Sequence, residues 1–150
     1  MNPRMAWHPV LLGAVLATSG TAQAQNSGNR AHVTQTGEAN LLEMLQRGSA
    51  GQDATVRQDG TDNTMLLEQA AAGPGNEVLA TQAGTGNVLR LEQSGSDNQA
   101  VLAQHGSGNS MRAVQTGDNN RLGWTQIGDN LADLAITQTG NQVIQITQGR

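Results

Sequence analysis

The side chains that could do chemistry in this sequence are mostly amides, with few acids and only three histidines. His32 and His105 stand apart, the first expected on the outer face of a strand and the second in a turn. The chain contains no cysteine. Catalysis needs an acid, base or nucleophile within hydrogen-bond reach of its partner. No acidic cluster accompanies either histidine, so we predict that the protein is not an enzyme and needs no cofactor.

Aspartates recur between the predicted strands, where calcium binding is the functional alternative to turn formation. Calcium-binding solenoids use a glycine-rich nonapeptide, and this sequence lacks that repeat. Aspartate also closes turns through its own side chain. We therefore predict that these residues shape turns and that the protein has no metal site. They are Asp59, Asp62, Asp97, Asp118 and Asp129.

Glutamine and asparagine recur at regular spacing along the chain. Eleven glutamines follow one another at intervals of 10 to 13 residues, and such self-similarity is the signature of a repeat protein. An asparagine or a substitute stands six residues before each of them. We predict that both sets form polar ladders, in which amides bond to the equivalent residues above and below. The ladder residues are Gln35, Gln46, Gln58, Gln69, Gln82, Gln93, Gln104, Gln115, Gln126, Gln138 and Gln148, with Asn29, Asn40, Asn63, Asn76, Asn87, Asn98, Asn109 and Asn120.

The residues between each asparagine and its glutamine predict a β-strand. The second and fourth positions after the asparagine are apolar in every copy, for example Leu89 and Leu91. A period of two indicates a strand with one buried face. Segments such as residues 94–97 supply the Gly and Asp that tight reversals need. The last two units are the least regular, since Ala132 and Gln142 replace the asparagine.

These units together predict an all-β fold, a β-solenoid with two sheets. Two strands and two turns make a coil of about 22 residues, so eleven strands give about 5.5 coils. In amyloid-type cross-β stacking, strands lie ~4.8 Å apart and facing sheets ~10 Å apart. Only a thin core fits between them, which agrees with a chain that has no Phe or Tyr and two Trp. Disorder, the alternative for Gln- and Asn-rich sequence, does not explain the strict alternation.

The first 24 residues predict a cleaved secretory signal peptide. Arg4 provides the positive start, residues 10–17 an apolar run far short of the ~20 needed to span a membrane, and Ala22-Gln23-Ala24 the cleavage site. Residues 25–28 would then be a short linker and residues 29–150 the solenoid. Losing Arg4 changes the formal charge from −4 to −5. That sign disfavours nucleic acid as a partner, and we expect no small-molecule substrate.

The spaced motif Gln-x-Gly-x-x-Asn resembles the curlin repeat of bacterial curli. It occurs at residues 82–87, 93–98, 104–109 and 115–120, and the similarity covers residues 29–150. The resemblance implies a β-solenoid amyloid subunit that is secreted through the outer membrane. Its location would be an extracellular fibre attached to the bacterial surface, serving adhesion and biofilm. It also implies as partners other copies of itself, a major curlin subunit, and outer-membrane curli secretion and accessory proteins.

The C-terminal sequence resembles the minor-subunit branch of the curlin family, whose members nucleate fibres and anchor them to the cell. Residues 143–150 are similar to a Thr-Gln-Arg terminus, with Gly149 as an insertion. Two alternatives stay open, a major structural subunit and a monomeric β-solenoid that binds a ligand or acts as an adhesin module. Major subunits carry a Gly-rich segment before the first repeat, which is missing here. The predicted anchoring end consists of Ile144, Ile146, Gln148 and Arg150.

Overall fold

The computed structural model describes residues 10–12, 20–26, 28–48, 51–71 and 73–150. Strands and turns make up these ranges, and no helix in them has the length and apolar character to cross a membrane. The strands are β1 (Val10–Leu12), β2 (Gly20–Asn26), β3 (Asn29–Glu38), β4 (Leu41–Gly48), β5 (Asp53–Thr61), β6 (Thr64–Ala71), β7 (Glu77–Thr85), β8 (Val88–Ser94), β9 (Gln99–Ser107), β10 (Ser110–Thr116), β11 (Arg121–Ile127), β12 (Leu134–Thr139) and β13 (Val143–Gly149).

From β3 onwards the strands alternate between two sheets, so each pair of consecutive strands forms one coil. One sheet has seven strands in the order β13-β11-β9-β7-β5-β3-β2, and the other has six in the order β1-β4-β6-β8-β10-β12. All pairings among β3 to β13 are parallel, with glutamine opposite glutamine, as for Gln82 and Gln104. The predicted two-sheet β-solenoid is confirmed: β3 to β13 are eleven strands, which at two strands per coil is five and a half coils.

The interior is apolar and only two residues wide along each strand. In the first nine units both inward-facing side chains are at most 4% exposed, as predicted from the alternation. In the last two units Ile136, Ile144 and Ile146 are partly buried and Leu134 is 39% exposed. The buried core residues are Ala31, Val33, Leu42, Met44, Ala54, Val56, Met65, Leu67, Val78, Ala80, Leu89, Leu91, Ala100, Leu102, Met111, Ala113, Leu122 and Trp124.

The turns depend on residues that tolerate a left-handed backbone. Gly84 has a φ of +120°, and a methyl group there would overlap the carbonyl oxygen of Gly106 in the next coil. Only glycine allows the two backbones to approach so closely. The residue before each ladder position also has positive φ in most turns, for example Asn119 at 58° and Ala39 at 53°. Ala39 is strained there, because a β-carbon disfavours this region.

The N-terminal strands β1 and β2 were not predicted. They pair antiparallel with β4 and β3, unlike every other pairing in the solenoid. The predicted cleavage site Ala22-Gln23-Ala24 lies within β2, whereas Arg4 and residues 13–17 of the predicted signal peptide lie outside the described residues. Cleavage of the leader therefore stays a prediction.

Candidate assembly surface

Two columns of glutamine amides run inside the solenoid, one along each sheet. Nε2 of Gln82 donates to Oε1 of Gln104 at 2.8 Å and to the backbone oxygen of Thr64 at 3.1 Å, while its Oε1 accepts from Gln58 at 2.9 Å. The nine bonds between successive glutamines measure 2.7 to 3.0 Å. All eleven glutamines named above lie in these columns, ten of them at most 2% exposed and Gln148 half-buried.

Each column has a direction, because every Nε2 donates towards the following coil. At the start of one column, Oε1 of Gln35 is buried and has no partner among the described residues. At the end of the second column, Nε2 of Gln138 bonds the backbone oxygens of Arg121 and Gln142 at 2.9 and 3.1 Å, but no glutamine Oε1 follows in the described chain. Gln148 likewise ends its column, and its Nε2 donates to the backbone oxygen of Ala132. Since an unpaired buried amide costs ~1–3 kcal/mol, the Gln35 end favours a further glutamine. At Gln138 and Gln148 backbone oxygens already accept from Nε2, and a further glutamine would continue the column there.

The asparagines form a second set of columns at the turns. Oδ1 of Asn87 accepts the backbone N–H of Asn109 at 3.0 Å, and its Nδ2 donates to the backbone oxygen of Gly106 at 2.8 Å. Each asparagine thus ties its own turn to the next coil. The same acceptance of a backbone N–H from the next coil occurs at Asn29, Asn40, Asn63, Asn76, Asn98, Asn109 and Asn120.

Gln52 is a ladder residue that the sequence analysis missed. It is fully buried in the asparagine column between Asn29 and Asn76, and its backbone N–H donates to Oδ1 of Asn29 at 3.1 Å. Its longer side chain bonds the backbone oxygen of Arg47, which leaves Oε1 without a partner among the described residues. The signal was available, since Gln52 is an amide six residues before Gln58.

The predicted place of Ala132 in the asparagine column is wrong. Leu131 lies there instead, 5% exposed, with its backbone N–H donating to Oδ1 of Asn109 at 3.0 Å. Pairing between Met111 and Leu134 then requires one extra residue before β12. This one-residue bulge brings β12 into register with β10. Gln142 does occupy its predicted place, since its N–H donates to Oδ1 of Asn120 at 3.3 Å.

The outer edges of β12 and β13 carry no further strand within the described ranges. The predicted anchoring residues lie on this edge, Ile144 and Ile146 partly buried, Gln148 half-buried and Arg150 exposed. The outward-facing Val143 is 73% exposed. This edge therefore presents apolar side chains, unpaired strand backbone and amide donors together, which makes it the candidate site for binding another β-strand.

The outer faces of the described strands hold scattered polar contacts. Three exposed ion pairs are present among the described residues, including Arg30 to Asp53 at 3.0 Å. His32 is exposed, and its Nδ1 lies 3.2 Å from Nε2 of Gln23. Among the residues that the structure describes, no three His, Cys, Asp or Glu side chains gather in a way that could hold a metal ion. Exposed pairs such as these contribute little to stability.

Comparison with known proteins gave no relative: no protein-family model, no curated protein and no solved structure matches this chain. The resemblance to the curlin repeat therefore rests on the motif spacing alone. What the geometry adds is a fold in which those spaced residues lie in continuous columns.

Proposed function

We propose that this chain is a secreted, non-enzymatic subunit of a curli-type amyloid fibre. The observation that carries the proposal is the edge of β12 and β13, where Leu134 is 39% exposed and three isoleucines are only partly buried. In the preceding units the corresponding side chains are at most 4% exposed, because a strand lies on each side. A parallel edge of this kind is a template for further strands.

The parallel, in-register stacking supports amyloid-type growth. Identical side chains lie over each other through the stack, glutamine on glutamine at 2.7 to 3.0 Å. Amide ladders of this type stabilise cross-β fibres, because each added strand bonds to the one below it. A second copy with the same repeat would extend both ladders, whereas a strand of unrelated sequence would leave the amides unpaired.

Within such a fibre, we propose the role of the minor subunit, which starts polymerisation and anchors the fibre to the bacterial surface for adhesion and biofilm. The irregular last units support this role: Leu131 interrupts the asparagine column, and β12 follows a one-residue bulge. A repeat unit that only anchors the fibre needs a less regular sequence than one on which further subunits stack. The regular units between residues 76 and 126 favour the alternative role of a major subunit.

The proposed location is an extracellular fibre on the bacterial surface. The proposed partners are further copies of this chain, a major curlin subunit, and outer-membrane curli secretion and accessory proteins. No part of the proposal involves a cofactor, a nucleic acid or a small-molecule substrate.

A seeding experiment tests the proposal. Residues 25–150 contain every buried core residue of the described chain, Ala31 to Trp124, and lose only Ala22 among the described residues packed against that core. We expect its addition to a major curlin at about one part in fifty to shorten the thioflavin lag several-fold. Alone at higher concentration it should give fibres with a reflection near ~4.8 Å. An unchanged lag with fibre growth would favour the major subunit, and absence of both would refute the fibre proposal.

A matched pair of variants on β13 identifies the edge responsible. Ile146→Asp places a charge on the inward face, where the next strand would cover it, and we expect seeding to be lost. Thr147→Asp changes the neighbouring outward-facing residue and should keep most of the seeding. Equal effects of the two substitutions would show that growth does not occur at this edge.

A further inference from the structure

We propose that copies of this chain join with a half-turn about the solenoid axis, so that β3 of one copy docks on β12 of another and β4 docks on β13. This inference rests on the proposed function and specifies the docking surface and its register. It commits to a second copy of this chain as the occupant of the β12 and β13 edge.

The number of described parallel strands favours the half-turn. β3 and β13 belong to the same sheet, so the stack contains one more strand in that sheet than in the other. Without rotation, β3 of the incoming copy would lie directly on β13. Its β4 would then lie above β12, but with one strand position left empty between β4 and β12. The backbone groups of β12 would then be buried without partners, which protein structures avoid. A half-turn fills every position.

The two sheets of the solenoid make equivalent hydrogen bonds. Nε2 of Gln46, in one sheet, donates to the backbone oxygen of Arg30 sixteen residues earlier. Nε2 of Gln58, in the other, makes the same bond to Leu41 seventeen residues earlier. These bonds continue up the stack, for instance from Gln115 to the oxygen 16 residues before it. Successive strands are therefore related by a half-turn and a step, and the proposed docking repeats that relation.

The direction of the glutamine columns also fits the half-turn register. In the half-turn register Gln35 of the incoming copy meets Gln138, and Gln46 meets Gln148. Gln138 and Gln148 are the last residues of their columns, and their Nε2 groups donate only to backbone oxygens. Oε1 of Gln35 is a buried acceptor without a partner in the described chain. Donor and acceptor therefore match head to tail, and a copy approaching in the opposite direction would bring donors against donors.

The outward-facing residues distinguish the two registers. With the half-turn, Arg30 of the incoming copy lies opposite Asp133, and Leu41 lies opposite Val143. Asp133 is exposed and Val143 is 73% exposed, so a charge pair forms and an apolar side chain is covered. Without rotation, Arg30 would lie opposite Val143. The half-turn register is therefore the complementary one.

Strands β1 and β2 cover the docking edges of β4 and β3, and the predicted cleavage after Ala24 would remove β1 entirely. Strand β2 does not fit the edge of β3. It runs antiparallel and places Gly20 opposite Gln35, where no side chain can bond the amide oxygen. A second copy would present Gln138 at the same place. The incoming glutamine strand is the better partner for β3, and the predicted cleavage after Ala24 would remove most of β2.

Engineered disulfides measure the register directly, because the chain has no native cysteine. Fibres of residues 25–150 carrying Leu41→Cys and Val143→Cys are oxidised, dissolved in denaturant and run on a non-reducing gel. Adjacent in-register strands bring these positions within the ~4.4–6.8 Å Cα separation of a disulfide. Within one copy the two positions lie in opposite sheets at opposite ends of the stack, so every bond formed joins two copies.

We expect a ladder of covalent oligomers from the 41/143 pair and none from a matched Arg30→Cys and Val143→Cys pair. Covalent oligomers only from the 30/143 pair, or fibres that give no covalent oligomers with either pair, would overturn the half-turn register. The fibre proposal would remain intact. Failure of the unmodified chain to form fibres would overturn both. As a second measurement, Asp133→Arg should slow elongation about two- to fivefold at low salt, and an unchanged rate would contradict the Arg30 to Asp133 pairing.

Discussion

The middle coils, residues 76–126, and the two ends of the solenoid are built from the same unit, but their amides are satisfied to different degrees. In the middle, Gln104 and Asn98 are fully buried and bond to equivalent residues on both sides. Towards the ends, Gln52 has an unpaired oxygen and Leu131 interrupts the asparagine column. The comparison shows that the unit needs a matching copy on each side, since an amide ladder stabilises only what it repeats.

The largest difference is expected from adding a methyl group to a turn glycine. Gly84→Ala would place a β-carbon against the carbonyl oxygen of Gly106, and backbone cannot move aside cheaply, so we expect a loss of about 3 kcal/mol or more. Gly140→Ala, near the end, meets nothing within 4 Å and has a φ of +62°, so it should cost only about 1 kcal/mol. Urea unfolding of residues 25–150 measures both, followed by the fluorescence of Trp124, which is 1% exposed. Equal losses would refute the stacked-glycine explanation.

The glutamine columns give the second test. Gln104→Leu leaves Oε1 of Gln126 without a partner inside the stack and Nε2 of Gln82 with only the backbone oxygen of Thr64, and we expect a loss of about 2–3 kcal/mol in unfolding free energy. Gln148→Leu removes one partner of Gln126 at a half-exposed position and should cost under about 1 kcal/mol. If both variants unfold at the same urea concentration, the ladder contributes no more in the middle than at the end.

Repairing the asparagine column should make one end more like the middle. Gln52→Asn shortens the side chain to the length used elsewhere, so that its oxygen can accept from Asn76 as Asn63 accepts from Asn87 at 3.1 Å. We expect a gain of about 1 kcal/mol in the same urea experiment. Asn63→Gln, the reverse change in a regular position, should lose a similar amount. A loss on Gln52→Asn would mean that the local turn, and not the column, requires glutamine.

The smallest effect is expected at the turn before Asn40. Ala39 has a φ of 53°, which glycine adopts without strain, so Ala39→Gly should raise the unfolding free energy by about 0.5–1 kcal/mol. Asn119→Gly in a middle turn should give a smaller gain, because asparagine already tolerates this region. The urea midpoints of the two variants are measured side by side. A larger gain for Asn119→Gly than for Ala39→Gly would contradict the strain explanation.

The repeating part of this fold could be predicted from the sequence because its determinants are local. Alternating apolar residues such as Leu89 and Leu91 define a strand face, and the spacing of the glutamines fixes which residues stack. The same reasoning failed near Leu131, where a one-residue insertion shifts the place of the asparagine from Ala132. The sequence does not show which of the two neighbours, Leu131 or Ala132, occupies the asparagine column. That choice depends on the hydrogen bond to Asn109 in the preceding coil.

The sequence by itself determined the eleven strands, their inward faces and all column residues except Gln52 and Leu131, because these features repeat within a few residues of one another. The tertiary structure alone decided the direction of the amide columns, the burial of Gln52 and the antiparallel pairing of β2 over β3. The first two features depend on contacts between residues about 22 positions apart, and the third on antiparallel pairs such as Gly20 with Gln35. In each case the geometry of strand stacking selects among partners that the local pattern does not distinguish.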